Sequence, residues 1–208
     1  MSGFGNNGTL LDASSTNADG NRPPQWTTGK VGSALSFDGV DDYVNVINSA
    51  SINTSLTTVL AYIKYNSVSN VHAIIQHMDG CVTNGYFLTV NRITSCTTAS
   101  SDSKLWLVSG SNSINPGDFV SNSTVSTDWN FIGFVWDTNK QKLFINGRKD
   151  AERTLSITTP SSRTSNLLIG MLTNCWCTWR FNGLIDEIRL YNRALSDAEI
   201  KALYDATK

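Results

Sequence analysis

Charge is scarce in this chain. Only 16% of its 208 residues are charged, the formal net charge is −1, and no basic stripe occurs. A surface so poor in Lys and Arg cannot neutralise a run of phosphates, so nucleic acid is excluded as a partner. Long apolar runs are missing too. No stretch approaches the ~18 consecutive apolar residues of a membrane span, so no membrane insertion is expected. Histidine is limited to His72 and His77, and cysteine to Cys81, Cys96, Cys175 and Cys177. Zinc is a poor fit, because one residue separates Cys175 from Cys177 where zinc pairs commonly have two or more. The even cysteine count among Ser, Thr and Asn instead reads as disulfide chemistry in an oxidising compartment. Pairing is not decided by spacing, and four free thiols are the alternative. Low net charge with many aromatics argues against disorder.

What is present is enough for a core. Hydrophobic residues make up 40% of the chain. The length suits residues 1–208 as a single all-β domain. The opening Met1-Ser2-Gly3 reads as an initiator ahead of a domain excised from a larger protein, and no signal peptide is visible. Short runs rich in β-branched and aromatic residues recur between turn signals. They are Val31 to Phe37, Tyr43 to Ile47, Thr57 to Tyr65, Ala73 to His77, Tyr86 to Val90, Leu105 to Val108, Asn130 to Trp136, Gln141 to Ile145, Leu167 to Gly170 and Leu184 to Tyr191. Asp137 to Lys140 fits a type I turn, and Asn146-Gly147 fits a two-residue I′ hairpin turn. In Leu184 to Tyr191, strict alternation places Leu184, Asp186, Ile188 and Leu190 on the core face. Only the tail predicts a helix. Ser196 and Glu199 form a capping box, and Ala198, Ile200, Ala202 and Leu203 give a partly apolar face. Many strands without alternating helices mean antiparallel sheets.

Three stretches carry a family resemblance. They are Gly29 to Val44 (GKVGSALSFDGVDDYV), Trp129 to Asp137 (WNFIGFVWD) continuing through Lys142 to Gly147 (KLFING), and Phe181 to Ser196 (FNGLIDEIRLYNRALS). Together they resemble the laminin-G-like family of the concanavalin A-like lectin/glucanase superfamily. The resemblance implies a two-sheet antiparallel jelly-roll sandwich with a short C-terminal helix. Family members usually carry a further strand upstream of the loop that resembles Ser2 to Leu10. An unpaired sheet edge there would invite association with another chain, including a second copy.

The superfamily also hosts enzymes. Glucanase-type relatives use two carboxylates on one strand in a Glu-x-Asp-x-Glu pattern. This chain has only Glu152, Glu187 and Glu199, and none lies in such a pattern. Polysaccharide lyases of related fold use Gln, His, Tyr and Arg with a Gln-x-His order. Here Gln76 and His77 are adjacent, so on one strand they face opposite ways; Tyr86 and Arg92 are near in sequence. Gly3 to Gly8 matches G-x-G-x-x-G, but no strand precedes it and no helix follows, so it carries no nucleotide site.

Binding is the leading expectation. The resemblance implies a structural calcium site, and the matching oxygen-rich positions are Asn6, Asp38, Asp41, Asp42 and Asp186; the alternative is an ordinary solvated turn. Sugar binding needs exposed aromatic faces beside polar donors. Trp176, Trp179, Arg180, His77 and Asp79 would line one rim if the Cys81 loop and the Cys175/Cys177 loop are tied together. The alternative is that Trp176 and Trp179 pack over a disulfide. Trp129 and Trp136 read as packing, and Trp106 fits either role. The expected protein is a non-catalytic module of an extracellular or cell-surface protein, binding a glycan, with a protein-binding module or a lyase-like enzyme as alternatives.

Overall fold

The computed structural model describes residues 8–12, 23–80, 84–95, 97–110, 118–155, 163–173 and 177–208. Asn6, Cys81, Cys96, Cys175 and Trp176 lie outside them. In order the elements are β1 Gly8–Asp12, β2 Gln25–Thr28, β3 Ser33–Asp38, β4 Asp42–Val46, β5 Thr57–Tyr65, β6 His72–Asp79, β7 Asn84–Val90, β8 Ile93–Ser95, β9 Thr98–Ala99, β10 Lys104–Gly110, β11 Phe119–Thr124, β12 Asn130–Asp137, β13 Lys140–Ile145, β14 Arg148–Thr154, β15 Leu167–Ile169, β16 Met171–Thr173, β17 Thr178–Arg180, β18 Asn182–Tyr191 and α1 Asp197–Asp205. Two seven-stranded antiparallel sheets stack face to face. Sheet A runs β1-β4-β15-β6-β7-β10-β11, and sheet B runs β14-β13-β12-β5-β18-β3-β2. The all-β sandwich with one C-terminal helix is therefore the fold.

The strands unmarked by apolar patterning are mostly peripheral. β2 is exposed at all four residues, and β14 (RKDAERT) carries mainly charged and polar side chains. Neither has a hydrophobic face to betray it.

Alternation builds the core. Val44 and Val46 of β4, Tyr86, Leu88 and Val90 of β7, and Leu105 and Leu107 of β10 point inward. They meet Val59, Ala61 and Ile63 of β5, and Ile132, Phe134 and Trp136 of β12, from the facing sheet. β5 is apolar on both faces: its other side chains, Leu60 and Tyr62, join Phe131, Phe144, Leu195 and Ile200 in a second cluster beneath α1. The helix begins at Ser196, whose hydroxyl accepts from the Glu199 backbone N–H while Glu199 reaches back to the cap. Only Ile200, Leu203 and Tyr204 contribute to packing, one helical face at i, i+3 and i+4; Ala198 and Ala202 are exposed.

Two sequence expectations are corrected. β18 does not alternate strictly. Its register to β5 shifts between Asp186 and Arg189, and Glu187 is left-handed (φ 48°). The bulge turns Ile185, Ile188 and Leu190 towards the main core, while Leu184 is only half-buried and Asp186 lies opposite Tyr62 of the helix-covered face. Between β12 and β13, Asp137 pairs with Lys140, so the turn has two central residues, and the first, Thr138, is left-handed (φ 44°) rather than type I. Asn146 and Gly147 do form the I′ geometry, with φ 50° and 75°.

The two long sides of the sandwich differ. On one, the Asp150 carboxylate accepts from the backbone N–H groups of Asn122 (2.6 Å) and Ser123 (3.1 Å), tying β14 to β11. On the other, β1 and β2 are sheet edges, and the space between the sheets opens into a cavity of about 570 Å³.

Gly170 links β15 to the β16–β17 hairpin at φ 80°, where a Cβ would overlap the ring of Phe37. Gly170→Ala is expected to destabilise the fold by about 2–4 kcal/mol, from backbone strain and overpacking together. Gly32 has φ 68° but open space around it, so Gly32→Ala is expected to cost only about 1 kcal/mol. Urea unfolding midpoints of the two variants, at unchanged m, check the contrast.

Candidate functional site

Sheet B hides its outer face under α1, but sheet A covers its own only in part. Outward residues of sheet A form a third apolar cluster of Ala73, Met78, Phe87, Trp106 and Val108, roofed by Leu172 and the half-buried Trp179 from the β16–β17 hairpin. Trp106 packs edge-on to Phe87 (5.2 Å) and is 7% exposed, so it belongs to this cluster. Gln76 fastens the hairpin down: its side-chain amide donates to Thr173 O (2.9 Å) and accepts from Thr173 N (2.8 Å).

Beside the hairpin lies an open depression of about 430 Å³, lined by Tyr43 and Asn45 of β4, Leu168 of β15, Gln76 and Met78 of β6, and Thr173. Ser165 and Asn166 close one end. At the other, the Arg180 guanidinium lies over the Tyr43 ring, 5.7 Å from its centroid. The depression thus offers one half-exposed aromatic ring, aliphatic and thioether surface, and side-chain amides. Tyr43, Asn45 and Asn166 escaped the sequence reading. Tyr43 and Asn45 read as ordinary outward positions of an alternating strand, and only the tertiary placement of the hairpin makes a wall beside them.

Next to Arg180, the turn from β3 to β4 gathers three carboxylates. Asp38, Asp41 and Asp42 each bring an oxygen within 4.8 Å of the others. Asp41 and Asp42 are only 5% and 4% exposed. Asp38 Oδ1 accepts from Val40 N (2.7 Å), and Asp42 Oδ2 accepts from Asp38 N (2.9 Å), so the turn is built to hold the acids together. Burial pulls the Arg180 guanidinium down from its usual pKa, while Tyr43 and the charges of Asp41, Asp38 and Asp42 act the other way. Three oxygens of like charge, two of them nearly buried, suit a hard cation such as calcium. Asp186 does not join them. Its Oδ2 accepts from Val31 N (2.8 Å), and a Cβ on Gly29 would collide with it, so it anchors the loop before β3.

The expected sugar-binding rim is dispersed. Trp179 and Arg180 stay together on the hairpin. Asp79 accepts from Thr164 N (2.9 Å) and Ser165 N (2.8 Å), holding the loop that ends the depression; these bonds lower its pKa although burial opposes them. His77 is fully buried on the inner side of sheet A, away from the rim. The adjacent Gln76 faces outward, because neighbours on a strand point to opposite faces. Cys177 is disulfide-bonded, and its partner lies outside the described residues. Trp136 is fully buried in the inter-sheet core and Trp129 packs beneath the helix.

His77 belongs to a buried polar cluster at the opposite end of the sandwich from the acidic turn. Arg163, 2% exposed, donates from Nε to His77 Nδ1 (3.2 Å) and from Nη2 to Thr54 O (3.1 Å). Asn53 bonds the Arg163 backbone on both sides, accepting from its N–H and donating to its carbonyl. The cluster therefore pins the β4–β5 and β14–β15 connections to β6. Because Nδ1 accepts, neutral His77 carries its proton on Nε2.

This is the architecture of a lectin-type sandwich: two stacked sheets, an acidic turn at one end and an open depression on one outer face. The laminin G family model described as the concanavalin A-like lectin/glucanases superfamily matches residues 38–201, and the chain belongs to that family. Among solved structures it is similar to domain 4 of AbnA, a GH43 extracellular arabinanase from Geobacillus stearothermophilus, in complex with arabinotriose (TM-score 0.68, 19% identity, 95% of this chain and 87% of that one). It is also similar to the Ruminococcus gnavus IT-sialidase CBM40 bound to α2,3-sialyllactose (TM-score 0.61, 14% identity, 82% and 97%). The binding domain of Paraclostridial Mosquitocidal Protein 1 gives a TM-score of 0.69 at 16% identity over 97% of this chain, which spans about half of that one (48%). At these identities the likeness is one of fold. No curated protein matches the chain.

Burial, and secondarily the Arg163 charge, hold the His77 pKa down to about 4 from its usual 6.5. Between those values the native state binds fewer protons than the unfolded chain. Stability from this group is whole above about pH 6.5 and is lost as pH falls towards 4, by on the order of 3 kcal/mol. Burial lowers the His72 pKa in the same direction. Urea unfolding at pH 7, 5.5 and 4 should show this loss. His77→Gln should be less stable at pH 7 and should show a shallower loss of stability between pH 7 and 5.5, where His72 still contributes.

Proposed function

We propose that this domain is a non-catalytic carbohydrate-binding module that takes a sugar in the depression on the outer face of sheet A. The observation that carries the reading is the depression itself: Tyr43 presents a ring beside Leu168 and Met78, with Asn45 and Asn166 at hand. A sugar has an apolar C–H face and a rim of hydroxyls. The ring and aliphatic surface suit the first, and amides suit the second, since each amide both donates and accepts. Arg180 braces the ring from the acidic turn. The arabinanase domain and the CBM40, whose structures hold arabinotriose and sialyllactose, support a glycan as the ligand class.

Calcium would be held by Asp38, Asp41 and Asp42, where it would neutralise the clustered carboxylates and stiffen the turn that leads into Tyr43. An extracellular or cell-surface setting follows from the same reading and agrees with the disulfide at Cys177. The lyase alternative is weakened by geometry. Gln76 is committed to the hairpin backbone, and His77 and Tyr86 are fully buried, with burial pushing the Tyr86 hydroxyl's pKa far up.

A glycan array probed with calcium and again with EDTA tests the sugar reading; no binding to any carbohydrate in either condition would sink it. For a glycan that binds, Tyr43→Ala is expected to weaken affinity about tenfold by calorimetry, with the melting temperature nearly unchanged because Tyr43 is half-exposed. Calcium at a hundredfold excess over its Kd is expected to add about 2.7 kcal/mol of stability, reversed by EDTA. Asp41→Asn should remove most of that gain. A melting temperature indifferent to calcium would remove the cation from the acidic turn.

A further inference from the structure

The chemistry of the depression on sheet A narrows the class of glycan it would take, an inference that rests on the sugar reading. The described residues that line it offer an aromatic ring, aliphatic and thioether surface, hydroxyls and amides, and none of them is charged. The stretches that run on from Gly80 and Thr173, residues 81–83 (CVT) and 174–176 (NCW), add no charge by sequence. On the neighbouring edge strand, β1 sets Thr9 opposite Asn45 and Leu11 opposite Tyr43, again without charge.

The charged groups at the two ends are mostly carboxylates. Asp79 holds the loop of Ser165 and Asn166 at one end. Asp38, Asp41 and Asp42 precede Tyr43 at the other. Two guanidiniums stand near, and both are committed elsewhere. Arg163 is buried against His77 on the inner side of sheet A. Arg180 stacks on the Tyr43 ring and faces the charges of the acidic turn.

An ionised group on a sugar would lose water here without gaining a cation, and a charge taken from water unpaired is costly. Hydrogen bonding points the same way. Asn45 Oδ1 is buried and accepts from none of the described residues, so it needs a donor. A sugar hydroxyl supplies one once Asn45 turns about its terminal torsion, which is broad for Asn. A carboxylate or sulfate only accepts, so it cannot. Asn166 Oδ1 is already occupied by Asn48 N (3.0 Å), which leaves the Asn166 NH2 to donate to a ring or hydroxyl oxygen.

We propose that the depression selects uncharged glycans and rejects those that carry a carboxylate or sulfate on the bound unit. Hydroxyls both donate and accept, which matches amides on all sides. The carboxylates at the two ends repel an anion before it docks, and salt screens that repulsion.

The test uses the whole domain in EDTA, so that no divalent ion bridges an acidic sugar to the turn. The probes are array glycans in matched pairs: a neutral chain, and the same chain carrying one uronate, sialate or sulfate. Affinities are measured by calorimetry at about 20 mM and about 500 mM salt. The charged member of each pair is expected to bind about tenfold more weakly at low salt, with the gap narrowing at high salt. Thr9→Lys supplies a positive control. Thr9 is exposed and lies directly across from Asn45, on the same face, so a lysine there brings a cation to the rim. It should raise the affinity of the charged member severalfold and leave the neutral one nearly unchanged. Equal or tighter binding of the charged members by the natural domain overturns the proposal and leaves the sugar reading intact. A Thr9→Lys gain shared equally by both members overturns it as well, because the site would then not be reading charge. Binding to neither member of any pair ends both readings together.

Discussion

Burial of the centre of sheet B on both of its faces is the constraint from which the rest of the molecule follows. β5 shows it most plainly. Val59, Ala61 and Ile63 face sheet A, while Leu60 and Tyr62 face α1. A strand so placed has no solvent side, and neither does its neighbour β12. Sheet B becomes the rigid layer against which everything else is positioned. Sheet A, held on one face only, keeps an outer surface that hairpins can partly roof and partly leave open.

That asymmetry gives the molecule its functional geography. The β16–β17 hairpin is laid across sheet A by Gly170 and locked by Gln76, and its edge forms the wall of the depression. The same hairpin delivers Arg180 to the Tyr43 ring and to the acidic turn. One short excursion thus links the candidate sugar surface to the candidate cation site. At the other end, Arg163, Asn53 and His77 fasten two loops to β6 through buried polar bonds. Such bonds are dependable only while His77 is neutral, which couples the integrity of that end to pH.

Most of the sandwich was legible in the chain. Thr57 to Tyr65 and Asn130 to Trp136 stand out because β-branched and aromatic side chains cluster there, and Asn146-Gly147 announces its turn by tolerating positive φ. The Asp38, Asp41, Asp42 grouping was legible as well, since a turn keeps near neighbours near. Strands such as β2 and β14 were not, because a solvent-facing edge imposes no hydrophobic pattern. The alternation of β18 misled, because a bulge changes the phase of side chains without leaving a signature in residue type. His77 misled for a related reason: a histidine at a strand end looks the same whether it points at water or at Arg163.

By itself the sequence determined the class of fold, the helix cap and the two-residue hairpin turn at Asn146-Gly147. These depend on periodicity, composition and interactions within a few residues. Tertiary structure alone decided that Asp186 leaves the acidic group, that Tyr43 and Asn45 face a depression beside Asn166, and that a bulge resets the phase of β18. Those facts arise where segments distant in the chain meet, and a linear pattern holds no record of which surfaces the other strands will cover.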